Sequence, residues 1–178
     1  MTDLVANIRA RLAPLLEEAE GALERRARQY PDLVAKGRMQ EKVAADEIRI
    51  WTAIVEDWRR VVSGRGEKGV GATVREKIAV LTDAIGRFDT ALASEIRNAG
   101  ERVQRDCAMG ADLYALRVLH GAKVDGIADI HQRRARIEDL AEHYRWELPG
   151  HTGLYAGIDD YLAFHQQIRA DRQQRKAA

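Results

Sequence analysis

The sequence contains few of the residues that build disulfide frameworks, rigid loops or membrane spans. Among 178 residues there is one cysteine, Cys107, which excludes an intrachain disulfide. Only three prolines are present, so most breaks between helices must come from the 14 glycines. No apolar run approaches the roughly 20 residues of a transmembrane helix, and residues 1–4 do not resemble the start of a signal peptide. We therefore expect a protein of the reducing cytoplasm that does not enter a membrane.

An excess of charge of one sign is also missing. The chain has 29 Lys and Arg residues against 28 Asp and Glu residues, a formal net charge of +1. Both signs alternate closely along the chain, which is typical of solvated helix faces. This balance argues against a histone-like nucleic-acid binder and against an acidic DNA mimic. Because 46% of the residues are hydrophobic, the chain has enough apolar material for a core.

The spacing of apolar residues predicts an all-α fold, a helical bundle made of an N-terminal helical hairpin and a longer coiled-coil-like unit. A first helix begins at Thr2 or Asp3, with a bend at Pro14, and ends near Tyr30-Pro31, because the residue before a proline avoids the helical region. A short turn follows, and Gly37 stops it. A second helix spans about 40–62 and has an apolar arc wide enough to be covered from two sides.

Beyond a glycine-rich stretch, apolar residues from Val74 to Leu92 repeat at spacings of three and four, and Thr73 is the expected cap. We favour one long helix that continues to His120 with a kink over a helix broken near 98–100. A fourth helix is predicted at about 127–146 and a last one at about 158–174. The predicted organisation is a hairpin at 1–62, a glycine-rich linker at 63–72 and an antiparallel helical unit at 73–178. The Val74–Leu92 seam also predicts a homo-oligomer.

Two tryptophans share one face of the second helix. Trp51 and Trp58 recur at the helical spacing that marks a core position. If they were exposed, they would instead be interface anchors, because tryptophan dominates binding hot spots. The core interpretation is favoured, and the interface one stays open.

Arginines occur in three short clusters. Arg25, Arg26 and Arg28 form one, Arg59 and Arg60 a second, and the third lies on the fourth helix at Arg133, Arg134 and Arg136. Guanidinium groups of this kind contact phosphates and protein partners. Each cluster also has acidic neighbours one turn away, which is typical of a solvated helix face. The third cluster is a candidate protein interface, and Arg25, Arg26 and Arg28 are candidate nucleic-acid contacts.

Residues that carry catalysis are sparse. Asp139, His143 and Glu147 are spaced to share one helical face and are the candidate ligands of a helical-bundle metal enzyme, although ion pairing uses the same residues. Cys107 lies in an apolar-leaning segment typical of a core filler. The segment 64–69 is formally G-x-G-x-x-G, but a helix precedes it where a dinucleotide site needs a strand. We expect no catalytic site, no cofactor and no metal.

A pattern within residues 24–60 joins Tyr30-Pro31 to Gly37-Arg38-Met39, Glu47-Ile48 and Asp57-Trp58. It resembles a set of small helical proteins, without an assigned activity, that bacteriophage and prophage genomes encode. The pattern covers about a fifth of the chain and is structural, namely a helix, a proline stop, a glycine turn and a second helix. The resemblance therefore implies a phage or prophage origin and transfers no catalytic residue.

These observations favour a non-enzymatic, phage-type protein that binds another protein through its helix faces. The partner would be a host or defence-system component or a part of the virion, met in the cytoplasm of the host. A nucleic-acid-binding accessory protein that uses the clustered arginines is the first alternative. A metal enzyme built around His143 is the second.

Overall fold

The backbone is α-helical in the computed structural model, which describes residues 2–65, 70–150 and 156–177 and the side chains of 9–65, 70–150 and 156–175. Within these ranges there is no strand, so the predicted all-α class is confirmed, and no helix has the length and apolarity needed to cross a membrane. The elements are α1 (Thr2–Ala35), α2 (Glu41–Ser63), α3 (Val74–Asn98), α4 (Glu101–Ala108), α5 (Leu113–His120), a 3-10 turn (Gly121–Val124), α6 (Asp125–Arg145) and α7 (Ile158–Ala177).

Several helix ends fall where the sequence predicts them. Thr73 caps α3 through a capping box, in which the Thr73 side chain accepts a bond from the Glu76 amide and Glu76 accepts one from the Thr73 amide at 2.7 Å. Gly37 ends the turn after α1 with a φ of +66°, a left-handed conformation that glycine adopts without strain. The predicted second, fourth and last helices are confirmed with ends shifted by a few residues.

The predicted end of the first helix near Tyr30-Pro31 is wrong, because α1 continues through Pro31 to Ala35. A proline inside a helix forfeits one hydrogen bond and crowds the preceding turn. Here tertiary contacts favour continuation, since the Tyr30 ring is buried and its hydroxyl donates a hydrogen bond to the Glu47 carboxylate on α2. Pro14 also lies within α1.

The favoured long helix from Thr73 to His120 is also wrong. The chain breaks after Asn98 and again after Ala108, giving α3, α4 and α5. Gly100 has a φ of +100° and Gly110 a φ of +85°, values that side chains with a Cβ rarely adopt. The Asp112 side chain then caps α5 by accepting a bond from the Ala115 amide at 2.7 Å.

One main core joins helices from both sides of the glycine-rich stretch. Its buried residues include Leu15 of α1, Trp51 of α2, Leu81 of α3, Ile137 of α6 and Ile158 of α7. A second, smaller core holds α4 and α5 against the α3–α6 pair. The division at 63–72 stays a prediction, and residues 66–69 of that linker lie outside the described part of the chain.

The Val74–Leu92 seam packs inside this chain. Leu81 and Ala84 are buried in the main core, and Ile78, Ile85 and Phe88 pack against it. Since α3 lies along α6 over much of its length, the seam that we expected to join two copies is already covered, and it gives no support to a homo-oligomer. Trp51 and Trp58 are each 0% exposed. Both therefore occupy the core position, and in this structure neither ring is available as an interface anchor.

A charged cluster crosses the centre of the bundle. Lys77 of α3 places its Nζ 2.5 Å from Oδ2 of Asp57 on α2, and both side chains are almost completely buried. The hydroxyl of Tyr144 on α6 donates to the same oxygen at 2.9 Å. Burial and the Asp57 charge raise the pKa of Tyr144 well above its usual value, so the phenol stays protonated as a donor. This cluster ties together three helices.

Candidate arginine-lined pocket

Two arginine clusters that are far apart in the sequence meet at one pocket. Arg25 and Arg26 of α1 and Arg133 of α6 line it together with Arg87 of α3. The cavity is about 420 Å³ and also has an apolar lining, formed by Ala22, Trp51, Ala84, Phe88, Ala91 and Ile137. Spacings of three and four put Ala22, Arg25 and Arg26 on one face of α1, and the same spacing relates Ala84, Arg87 and Ala91 on α3.

Small residues create the space. Ala22, Ala84 and Ala91 line the cavity where α1 and α3 approach α6, and each has only a methyl side chain. A leucine or phenylalanine at these places would fill much of the volume. The arginines, which are long, extend around the opening while their aliphatic stems cover apolar surface.

Glu18 fixes two of the four guanidinium groups. Its carboxylate is 5% exposed and accepts a hydrogen bond from Arg25 at 2.8 Å and from Arg133 at 3.3 Å. Burial lowers the pKa of Arg25, while the Glu18 hydrogen bond opposes the shift. The arrangement gives Arg25 and Arg133 defined positions, because one buried carboxylate orients both.

Glu47 of α2 fixes the other two. It accepts hydrogen bonds from Arg26 at 3.2 Å, from Arg87 at 3.2 Å and from the Tyr30 hydroxyl. Burial alone would raise the pKa of Glu47, but the Tyr30 hydrogen bond and the Arg87 charge outweigh burial and lower it. Burial and the bond to Glu47 raise the pKa of Tyr30, which remains a neutral donor.

Aromatic rings hold two guanidinium planes from one side. Arg26 lies 4.3 Å from the centroid of the Trp51 ring, and Arg133 lies 5.2 Å from that of Phe88. A guanidinium has five N–H donors, and the bonds to Glu18 and Glu47 use one or two of them in each arginine. Arg26 also donates to the Ala22 carbonyl, and Arg87 and Arg133 also pair with Asp83 and Asp129, so only part of the remaining donors can meet an incoming acceptor.

The charged side chains that line the pocket are all arginines. Four guanidinium groups line it, and two carboxylates, Glu18 and Glu47, orient them. Asp83 pairs with Arg87 at 2.6 Å, and Asp129 pairs with Arg133 at 3.7 Å. An anion that enters meets fixed donors with little reorganisation, and an apolar group joined to it has a surface to cover.

The other predicted arginines lie outside this pocket. Arg28 is exposed on α1, and Arg136 is partly buried on α6. Arg134 pairs with Asp89 at 2.5 Å and with Glu138 at 2.7 Å. Sequence reasoning missed Arg87, which stands alone in the sequence. Its signal was the shared face with Ala84 and Ala91, which is indistinguishable from an ordinary helix face until α1 and α6 are placed beside it.

The predicted metal ligands do not form a site. His143 is buried between the Trp58 and Tyr161 rings and its Nδ1 bonds the Ala156 carbonyl at 2.7 Å. Glu147 accepts a hydrogen bond from the Ile158 amide at 3.0 Å. Among the described residues no group of three or more His, Cys, Asp or Glu side chains is arranged to hold a metal ion. The structure therefore gives the metal-enzyme alternative no support.

Comparisons with protein-family models, with curated proteins and with solved structures each gave no match. The function of the chain has therefore to be inferred from the geometry of the pocket itself.

Proposed function

We propose that this chain is a non-enzymatic protein that binds another protein by receiving an acidic side chain, with an apolar neighbour, in the arginine pocket. The observation that carries the proposal is the convergence of Arg25, Arg26, Arg87 and Arg133 on an apolar lining. Arginine and aromatic residues are the types that dominate protein-binding hot spots. Charge-assisted bonds from guanidinium to carboxylate supply affinity and orientation together.

The shape of the pocket favours a segment of a larger partner over a small metabolite. Gln29, Arg87 and Ala91 are exposed at its rim. Sites for small ligands usually enclose most of the ligand surface, whereas a wide rim accommodates a side chain that remains attached to its own protein. The exposed apolar residues Tyr114 and Val118 of α5, 80% and 68% accessible, also support a protein partner.

The chemistry of the lining favours binding over catalysis. Among the described residues that line the pocket there is no serine, cysteine or histidine to act as a nucleophile or base. The carboxylates of Glu18 and Glu47, which orient these arginines, are held by ion pairs. A phage or prophage origin, a host or virion partner and a cytoplasmic location remain part of the proposal.

A random-peptide display selection on the whole chain tests the proposal. We expect enrichment of peptides in which Asp or Glu lies within two residues of an aromatic or branched apolar residue. A selected peptide, labelled and titrated by fluorescence anisotropy, should bind Arg87→Gln about tenfold more weakly or worse, because a hydrogen bond to a charged group is worth about 1.5–3 kcal/mol. Ala91→Trp should abolish binding by filling the mouth of the pocket.

Both substitutions are at exposed positions, so they should leave the fold intact. Arg28→Gln is the matched control, since it removes the same charge from an exposed position outside the pocket. The proposal is overturned if no acidic consensus emerges, or if the selected peptides bind Arg87→Gln and Ala91→Trp as well as the unmodified chain. Tight binding of phenyl phosphate without any peptide consensus would assign the pocket to a small ligand instead.

A further inference from the structure

A second group of arginines gathers at the end of the bundle where α2 stops. Arg9 of α1, Arg65 just after α2 and Arg169 and Arg172 of α7 line a shallow groove of about 100 Å³. Between them lie Ser63, Gly64, His165 and Ile168. We call these four arginines the terminal basic groove. None of them belongs to the arginine pocket.

The groove is built on a fixed junction between α2 and α7. His165 is buried, and its Nε2 lies 2.8 Å from the Val61 carbonyl oxygen. Gly64 has a φ of +66° and packs so closely that a Cβ there would lie 2.9 Å from the His165 ring. Ile168 is buried one turn further along α7, so Arg169 and Arg172 project from the adjoining exposed face.

Hydrogen bonds also fix the part of the groove at the end of α2. Arg9 donates a hydrogen bond to the Ser63 carbonyl at 3.2 Å, and the Arg65 amide donates to the Ser63 hydroxyl at 3.1 Å. The partial negative charge at the end of α2 attracts these cations, but it amounts to only about half a unit. Four full positive charges exceed it.

The four side chains differ from those of the arginine pocket in their partners. All four residues are exposed, and none forms an ion pair with a carboxylate in the described part of the chain. The acidic residue among them on α7, Asp171, accepts a hydrogen bond from Gln167 at 2.8 Å. The terminal basic groove is therefore a local positive field on a chain whose total charge is close to zero.

We propose that the terminal basic groove binds the phosphate backbone of double-stranded nucleic acid. Exposed guanidinium groups without carboxylate partners are the donors that phosphate contacts require. The described residues that line the groove include no Trp, Tyr or Phe on which an unpaired base would stack, which favours a duplex over a single strand. Phosphate contacts carry no sequence information, so we expect binding without sequence preference.

The number of arginines fixes the salt dependence. Each phosphate contact releases counterions, and the slope of log K against log salt is about −0.9 per contact. Four contacts predict a slope of about −3.6, so the affinity should fall roughly 150-fold between 50 and 200 mM salt. Removing two contacts should halve the slope.

The test is a fluorescence anisotropy titration of the full chain with a labelled 20-base-pair DNA duplex at several salt concentrations. Arg169→Gln/Arg172→Gln should reduce the slope to about −1.8 and weaken binding at 50 mM salt at least tenfold. Arg102→Gln/Arg105→Gln removes the same charge from exposed positions on α4 and should leave slope and affinity nearly unchanged. Circular dichroism melting curves verify that every variant is folded.

Four results would overturn this assignment. They are no duplex binding at 50 mM salt, an unchanged slope in the α7 variant, an equal loss in the control variant, and tighter binding to the matching single strand or to phosphatidylserine vesicles. This test is separate from the test of the arginine pocket. Arg87→Gln, which should weaken peptide binding in that pocket, lies outside the terminal basic groove and should not change duplex binding.

Discussion

The buried cluster of Lys77, Asp57 and Tyr144 permits a quantitative prediction about stability. Lys77→Met removes the ammonium group and leaves the Asp57 carboxylate in the core with the Tyr144 hydroxyl at 2.9 Å. Both charged side chains are nearly inaccessible, at 2% and 0% of the Lys77 and Asp57 surfaces. Removing one partner of a buried ion pair costs about 3–5 kcal/mol, because an uncompensated charge remains. We expect Lys77→Met to lower the free energy of unfolding by that amount.

A double variant separates this effect from the loss of packing. Asp57→Asn should cost about as much as Lys77→Met, since it leaves the ammonium buried without its counter-charge. Lys77→Met/Asp57→Asn carries no charge, and its amide oxygen still accepts the Tyr144 hydroxyl. Its loss should therefore be at least about 2 kcal/mol smaller than the sum of the single losses, a coupling that a double-mutant cycle measures directly.

The measurement is urea unfolding followed by circular dichroism, with the midpoint and slope determined for each variant. If the single variants are unfolded in the absence of urea while the double variant is folded, the same conclusion holds. Tyr144→Phe is the mild comparison and should cost about 1–3 kcal/mol, since it removes one buried hydrogen bond to a charged group. A loss below about 1 kcal/mol for Lys77→Met, or losses that simply add in the double variant, would refute the reasoning.

Three further predictions concern titration and the α2–α7 junction. Burial lowers the pKa of His143 below its ordinary value of 6.5, so the unfolded chain takes the proton first. Stability should therefore decline as the pH falls below 6.5, by at most about 1.4 kcal/mol per pH unit, and His143→Gln should flatten the change in urea midpoint between pH 8 and 5.5. Hydrogen bonds from the residue that caps α3 lower the pKa of Glu76 to about 2. An NMR titration should show that value, and the stability due to this group should disappear as the pH falls from 4.5 toward 2. Gly64→Ala should cost about 1–2 kcal/mol and speed amide exchange in α7, because its Cβ would press on His165, whereas Gly86→Ala, at an open helical site, should raise stability.

Local signals in the sequence were sufficient for much of the fold. The spacing of Ile50, Ile54 and Val61 beside Trp51 and Trp58 predicts a central helix, and α2 is buried along these positions. Thr73 is predicted to cap the third helix, and it does so through a capping box with Glu76. These features depend on neighbours within one or two turns.

Features that depend on tertiary contacts could not be obtained in this way. Whether α1 passes Pro31 depends on what Tyr30 contacts on α2, and whether α3 stops depends on the positive φ of Gly100. The arginine pocket requires α1 and α6 to be adjacent, although Arg26 and Arg133 are more than a hundred positions apart. A cluster of charges in the sequence predicts a surface, and only packing determines which charges face one another.

The small second core has a consequence for how this chain tolerates insertion and deletion. Glu95 near the end of α3 lies close to Gly126 at the start of α6. A Cβ added to Gly126 would be 2.5 Å from the Glu95 carboxylate. The end of α3 and the start of α6 are therefore adjacent in space. The segment between them, α4, α5 and the 3-10 turn, has apolar residues that are largely separate from the main core. We therefore expect that residues 99–124 can be excised: a short loop would bridge the ends and the main core would stay covered, while Ile127 of α6 would lose its cover.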